Sequence, residues 1–185
     1  KEEILPEEET NVLEEGPLYV TPTHPVFKRI AAGGHSDLMS VERTFNEKSG
    51  KLRTEIVVDD VRSVGKFFHF TAGEGGWRVV IIDSADEMNL NAANAILKVL
   101  EEPPPKALLL LISHNPGQLL GTIRSRCRKL SLQPLENKIV SSLVHGWQPD
   151  FDEASVEALV TLADGSPGRA LVLADKGGLE IYHEM

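Results

Sequence analysis

The sequence predicts an α/β fold, a parallel sheet covered by helices, followed by a small helical domain. Three stretches carry this expectation. Trp77 to Asp83 is a β-branched apolar run ending in a carboxylate, as in a strand buried on both faces whose carboxyl end opens into a site. Ala93, Ile96, Leu97 and Leu100 then fall at i, i+3, i+4 and i+7, one apolar stripe of a helix. Ala107 to Ile112 is a second apolar run, predicting a second buried strand. Strand, helix and strand at this spacing form a βαβ unit, whose crossover makes the two strands parallel.

Residues 1–23 contain Pro6, Pro17 and Pro22 among glutamates and no apolar period, which predicts a linker or loop. The folded part is expected from His24. Val26, Phe27 and Ile30 suit a short helix over 25–32, which Gly33 and Gly34 would end. Leu38 to Phe45 reads as a strand and residues 46–51 as a polar turn. Asp59 or Asp60 is then placed to cap a helix running to about Phe70. Gly73 to Gly76 interrupts the chain before the βαβ unit, and Pro103-Pro104-Pro105 stops its helix after Glu102. Arg128 to Leu132 is expected to form a third strand after it.

Beyond Pro134 the pattern turns helical, over Ile139 to Val144 and again at Val156, Leu159, Val160 and Ala163, where Gly165 marks the end. Ser166-Pro167 reads as a cap followed by proline at the first helical position, predicting a last helix to about Ala174. The expected domains are therefore a linker at 1–23, an α/β core at 24–135 and a helical domain at 136–185.

Composition excludes several classes. With 41% hydrophobic and 25% charged residues the chain can build a core, so disorder throughout is excluded. The longest apolar stretch, Ala107 to Ile112, is far short of the ~20 residues of a bilayer span, and the acidic N-terminus is unlike a signal peptide. A cytoplasmic protein without membrane partners is expected. A single cysteine, Cys127, excludes an internal disulfide, and the six histidines are not paired at ligand spacing, so no metal is assigned. The formal charge of −9 argues against a general grip on nucleic acid. Residues 1–16 hold seven Glu and one Lys, a contribution of −6, which leaves −3 for the rest. Local basic patches remain possible there, and Arg124, Arg126, Arg128 and Lys129 form one.

An aspartate at the carboxyl end of a buried parallel strand is where α/β nucleotide-binding proteins place a Mg²⁺-coordinating carboxylate. Here Val79-Val80-Ile81-Ile82-Asp83-Ser84-Ala85-Asp86-Glu87 is followed by Ile96-Leu97-Lys98-Val99-Leu100-Glu101-Glu102-Pro103-Pro104 and then by Ile123-Arg124-Ser125-Arg126-Cys127. This ordered series resembles bacterial DNA polymerase III clamp-loader subunits, with a Walker B strand, the Leu-Glu-Glu-Pro-Pro helix end, a sensor strand and the Ser-Arg-Cys motif. Gly165-Ser166-Pro167-Gly168-Arg169 extends the likeness into that family's sensor-2 helix. The resemblance implies an AAA+ core of the P-loop NTPase type lacking its N-terminal part, followed by the beginning of a helical lid.

Departures from the family pattern refine it. No Gly-x-x-x-x-Gly-Lys-Ser/Thr occurs, so either the chain begins after that phosphate loop or the subunit has none. Active members follow the Walker B aspartate with a water-activating glutamate, and that position here is Ser84, whose hydroxyl is not basic enough for the role. Asp86 and Glu87 lie beyond the strand end. The zinc-binding cysteines common in the family are absent, implying a zinc-free variant. The resemblance then implies the delta-prime type, inactive as an ATPase and without a nucleotide of its own.

In that family the arginine of Ser-Arg-Cys reaches the γ-phosphate of ATP on the neighbouring subunit, which assigns Arg126 as an arginine finger in trans. Ser125 and Cys127 would position its loop, and Arg124 is read as solvated surface. Asp83, Ser84 and Arg169 are read as a vestigial nucleotide site, with Arg169 in a structural salt bridge. Ser113 and Asn115 stand at the sensor position, with His114 a plain loop residue, and Glu101 and Glu102 are given no chemistry. Implied partners are the gamma/tau and delta clamp-loader subunits, the sliding clamp through the assembly and, loosely, primer-template DNA. Two alternatives remain on sequence: an ATP-hydrolysing gamma/tau subunit or other AAA+ ATPase, and a non-replicative interaction domain on the same fold.

Overall fold

The computed structural model describes residues 19–175, so most of the expected linker, with its acidic stretch, lies outside the described residues. The chain divides into two compact units between Arg128 and Lys129, ahead of the 135/136 boundary expected from composition. In chain order the first unit contains α1 (Pro25–Ala31), β1 (Leu38–Val41), α2 (Val58–His69), β2 (Arg78–Ile82), α3 (Leu90–Glu101), β3 (Ala107–Leu111) and α4 (Gly121–Arg124). A 3₁₀ turn over Ala85–Glu87 links β2 to α3. The strands form one parallel sheet in the order β1-β2-β3, with Val80 opposite both Met39 and Leu109.

Local chemistry sets these boundaries. The His24 imidazole accepts from the N–H of Val26 at 3.2 Å and Pro25 opens α1, while Gly33 adopts φ +67° just beyond its end. Asn89 caps α3 by accepting from the N–H of Ala92 at 2.9 Å. Glu102 is the C-cap ahead of the prolines, as expected. The core joins Val41, Val80 and Ile82 of the sheet to Val61, Val64 and Phe68 of α2, Ala92, Ala93 and Ile96 of α3, and Ile123 of α4.

Several expectations need correction. Strand β1 ends at Val41, because beyond it Phe45 pairs instead with Leu52 in an antiparallel bridge across the 46–51 turn. Helix α2 is capped in the reverse sense from that expected. Its Ncap is Val57, and Asp60, inside the first turn, accepts from the Val57 N–H at 3.1 Å. Strand β2 is not buried on both faces: Arg78, Val80 and Ile82 are buried, whereas Val79 and Ile81 are half-buried. Strand β3 is less covered still, with Leu108 and Leu110 exposed on one face. Residues 128–132 form no strand, and Leu130 and Leu132 are 83% and 86% exposed, so the alternation there has no ladder partner among the described residues.

A buried ion pair, missed on sequence, fixes the 71–76 loop. Asp37 and Arg78 are 4% and 8% exposed, with Arg78 Nε 3.8 Å from Asp37 Oδ1. The Asp37 carboxylate accepts from the N–H groups of Gly73 and Glu74 at 2.7 and 2.9 Å. Arg78 donates to the carbonyl of Phe70 at 2.5 Å and stacks 4.0 Å over the Phe67 ring. The Glu74 and Gly73 N–H bonds hold the Asp37 carboxyl below its ordinary value against the opposing effect of burial, and Arg78 lowers it further. A depressed native pKa contributes stability above the unfolded value, ~3.9, and that contribution is lost as pH falls through the native value. Asp37→Asn is therefore expected to lower the melting temperature at neutral pH and to shrink its further drop below about pH 4. Melts recorded by circular dichroism across that range check it.

The second unit packs α5 (Asn137–Trp147), α6 (Glu153–Ala163) and α7 (Pro167–Asp175) around Val140, Val144, Val156, Leu159, Val160, Ala163 and Ala170. Asp152 caps α6 through the N–H of Ser155 at 2.9 Å. Ser166 caps α7 through the N–H of Arg169 at 3.3 Å, with Pro167 at the first helical position as expected. Asp164 and Gly165 both take left-handed backbone, φ +49° and +73°, which turns the chain between α6 and α7. Among the described residues no helix is long and apolar enough to cross a membrane.

Candidate functional site

The carboxyl ends of β2 and β3 are stitched together by backbone and carboxylate bonds. Asp83 N–H continues the ladder to the Val41 carbonyl at 2.9 Å, and Ala85 N–H reaches the Ile112 carbonyl at 2.7 Å. Just past β2 the exposed Asp83 carboxylate accepts from the Ser84 hydroxyl at 3.2 Å. Position 84 thus contributes a hydroxyl donor beside Asp83 and no second carboxylate. Of the two acidic residues that follow, Asp86 accepts from the N–H groups of His114 and Asn115 at 3.2 and 3.1 Å. Burial pushes the Asp86 carboxyl up, but backbone N–H donors, its own and those of Asn115 and His114, together hold it below its ordinary value. Glu87 pairs with Arg43 at 2.9 Å. Both carboxylates therefore serve neighbouring segments of this chain. Ser113 and Asn115 sit in the loop that Asp86 ties down.

The Ser-Arg-Cys segment follows α4. Ser125 is the C-cap of that helix, and its hydroxyl donates to the Thr122 carbonyl at 3.1 Å. Cys127 is half-buried against the core, and burial pushes its thiol up, away from the reactive thiolate. Between them Arg126 keeps its side chain 34% exposed. Its Nη1 donates to the Thr122 carbonyl at 2.9 Å and lies 3.4 Å from the Ser125 hydroxyl, while Nη2 meets Glu101 Oε1 at 2.5 Å. Glu101, given no chemistry on sequence, is thus the direct partner of the arginine singled out there. Its one sequence signal is position, since an acidic residue ending a helix sits at the negative pole of the macrodipole and needs a cation nearby.

Within the first unit the singled-out residues fall into two separate groups. Asp83 and Ser84 bond each other, and no hydrogen bond or ion pair among the described residues links them to Arg126. Arg169 belongs to the second unit, in the first turn of α7, and makes no ion pair among the described residues in place of the salt bridge expected for it. Arg124 is exposed, as expected for solvated surface.

A parallel sheet with a carboxylate at the end of its middle strand, followed in the chain by a helical unit, matches the fold of a truncated AAA+ core. A RuvB mutant from Thermotoga maritima shares this fold, with a TM-score of 0.51 and 14% identity over 80% of this chain and 47% of that one. The chain belongs to the family described as DNA polymerase III, delta subunit, whose profile matches residues 20–136. Among its relatives, the DNA polymerase III subunit delta′ of Pseudomonas aeruginosa is 42% identical over 80% of this chain and 43% of its own length. The delta′ subunit of Escherichia coli K12 is 35% identical over 77% of this chain and 40% of its own, and the tau subunit of Bacillus subtilis 28% identical over 80% and 26%. These matches bear out the resemblance to delta-prime subunits. The chain spans less than half the length of these curated relatives.

Proposed function

We propose that this chain is part of a delta-prime type clamp-loader subunit that hydrolyses no ATP itself and lends Arg126 to ATP held by a neighbouring ATPase subunit. The observation that carries the reading is the partly exposed side chain of Arg126 on the Ser-Arg-Cys turn, within the segment that matches the family. A guanidinium suits the task because it is planar, permanently charged and forked, matching the oxygens of a phosphate. Ser84 supports the other half of the proposal. Its hydroxyl, bonded to Asp83, is no general base near neutral pH, and Asp86 and Glu87 are engaged elsewhere.

In this reading Asp83, Ser84 and Arg169 are remnants of a nucleotide site, no zinc or nucleotide is resident in the subunit, and catalysis belongs to the neighbour. The partners are the gamma/tau and delta subunits and, through the assembly, the sliding clamp being placed on primed DNA. Direct contact with that DNA is weak, given the acidic charge balance. The full-length subunit alone is expected to release phosphate from ATP no faster than a protein-free blank in a steady-state assay. Sustained turnover by the isolated subunit would overturn the proposal.

A further inference from the structure

An arginine that acts on a neighbour's phosphates must have N–H groups to offer, yet Arg126 is already engaged within its own chain. Nη2 is bonded to Glu101 Oε1 and Nη1 to the Thr122 carbonyl. The Arg126 contacts differ in kind. Thr122 and Ser125 offer neutral oxygens, whereas Glu101 offers a full negative charge, so it competes directly with a phosphate for the guanidinium. We infer that Glu101 is a latch that parks Arg126 against the end of α3, and that engagement of the neighbour's phosphates proceeds by exchange of this carboxylate for phosphate oxygens. The inference rests on the finger reading above and adds a residue that controls how readily the finger is released.

The latch is weak by construction. Glu101 and Arg126 side chains are 49% and 34% exposed, so water screens the pair, and a polyphosphate with several negative charges outcompetes a single carboxylate. The position of Glu101 favours the parked state in the absence of phosphate, because the last turn of α3 is the negative pole of its helix and the carboxylate is relieved by a nearby cation. The bonds to Thr122 and Ser125 hold the other edge of the guanidinium while the Glu101 contact is exchanged.

The test uses the full-length subunit reconstituted with the ATPase and clamp-opening subunits, and compares wild type, E101Q, R126A and the double variant. Glutamine keeps the shape of the side chain and removes its charge. Basal ATP turnover without DNA is expected to rise about two- to five-fold in E101Q, the factor an exposed ion pair is worth. The gain should fade at high ionic strength and vanish when Arg126 is also alanine. If E101Q leaves turnover unchanged or lowers it while R126A remains impaired, the latch is wrong and the finger stands. If R126A turns over ATP as wild type does, the finger reading fails and the latch with it.

Discussion

Replacing Arg126 by alanine in the full-length subunit is expected to lower ATP turnover at the abutting site of the reconstituted assembly by on the order of 10³, the lower end of what an arginine supplied in trans contributes. The size of the effect follows from where the charge acts. A guanidinium facing solvent, or paired with Glu101 across a half-exposed surface, stabilises its own fold by about 1 kcal/mol or less. On the proposed reading the same group would face phosphates in a closed interface, where a preorganised charge stabilises the transition state far more than it does in water. Folding and turnover should therefore separate: R126A melts within a degree or two of wild type while the rate collapses. Lysine keeps the charge and loses the fork, so R126K should recover only a small part of the rate. A stopped assay of phosphate release, run beside thermal melts of the same preparations, distinguishes this outcome. Parallel losses of stability and rate would instead make Arg126 a structural residue.

Much of the fold was visible in the sequence because its signals are local. The run Val79 to Ile82, the stripe Ala93, Ile96, Leu97, Leu100, and the proline stop after Glu102 each depend on residues within one element, and each appears where expected. Expectations failed where the answer depends on what lies beside an element. The leucines of β3 look the same in sequence whether a neighbour covers both faces or one, and Leu108 and Leu110 are in fact exposed. Leu130 and Leu132 alternate as a strand would, but alternation supplies no ladder partner.

The candidate site divides along the same line. Asp83, Ser84 and the Ser-Arg-Cys segment stand out as candidates in the sequence because they are contiguous motifs. Glu101 was passed over because it lies 25 residues before Arg126, and nothing in a single sequence reports that the end of α3 faces the turn after α4. Asp37 was missed for the same reason, since the N–H groups it holds are 36 and 37 residues away. Both carboxylates bond a segment far away in sequence, and such contacts become visible only when the chain is folded.

Gly165 shows how a local signal can be right and still understate the constraint. In sequence it is a helix stop, and its φ of +73° agrees, since a left-handed residue commonly ends a helix. The fold adds a second demand. A Cβ at this position would meet Pro134 Cβ at 2.5 Å and the carbonyl oxygen and nitrogen of Leu135 at 2.8 and 2.9 Å, and the Leu135 N–H donates to the Gly165 carbonyl at 2.9 Å. Two of these three neighbours are backbone atoms and cannot swing aside as a flexible side-chain tip can. Gly165→Ala is thus expected to destabilise the helical unit by about 2–4 kcal/mol, combining ~1 kcal/mol for a non-glycine left-handed residue with ~1–3 kcal/mol for overpacking. Gly168 provides the contrast. It lies in the first turn of α7 with nothing within 4 Å of its added Cβ, so Gly168→Ala should be neutral or stabilising by up to ~1 kcal/mol through helix propensity. Urea unfolding of the two variants side by side separates the explanations. If both substitutions cost the same, the close approach of the 134–135 segment is not what fixes glycine at 165.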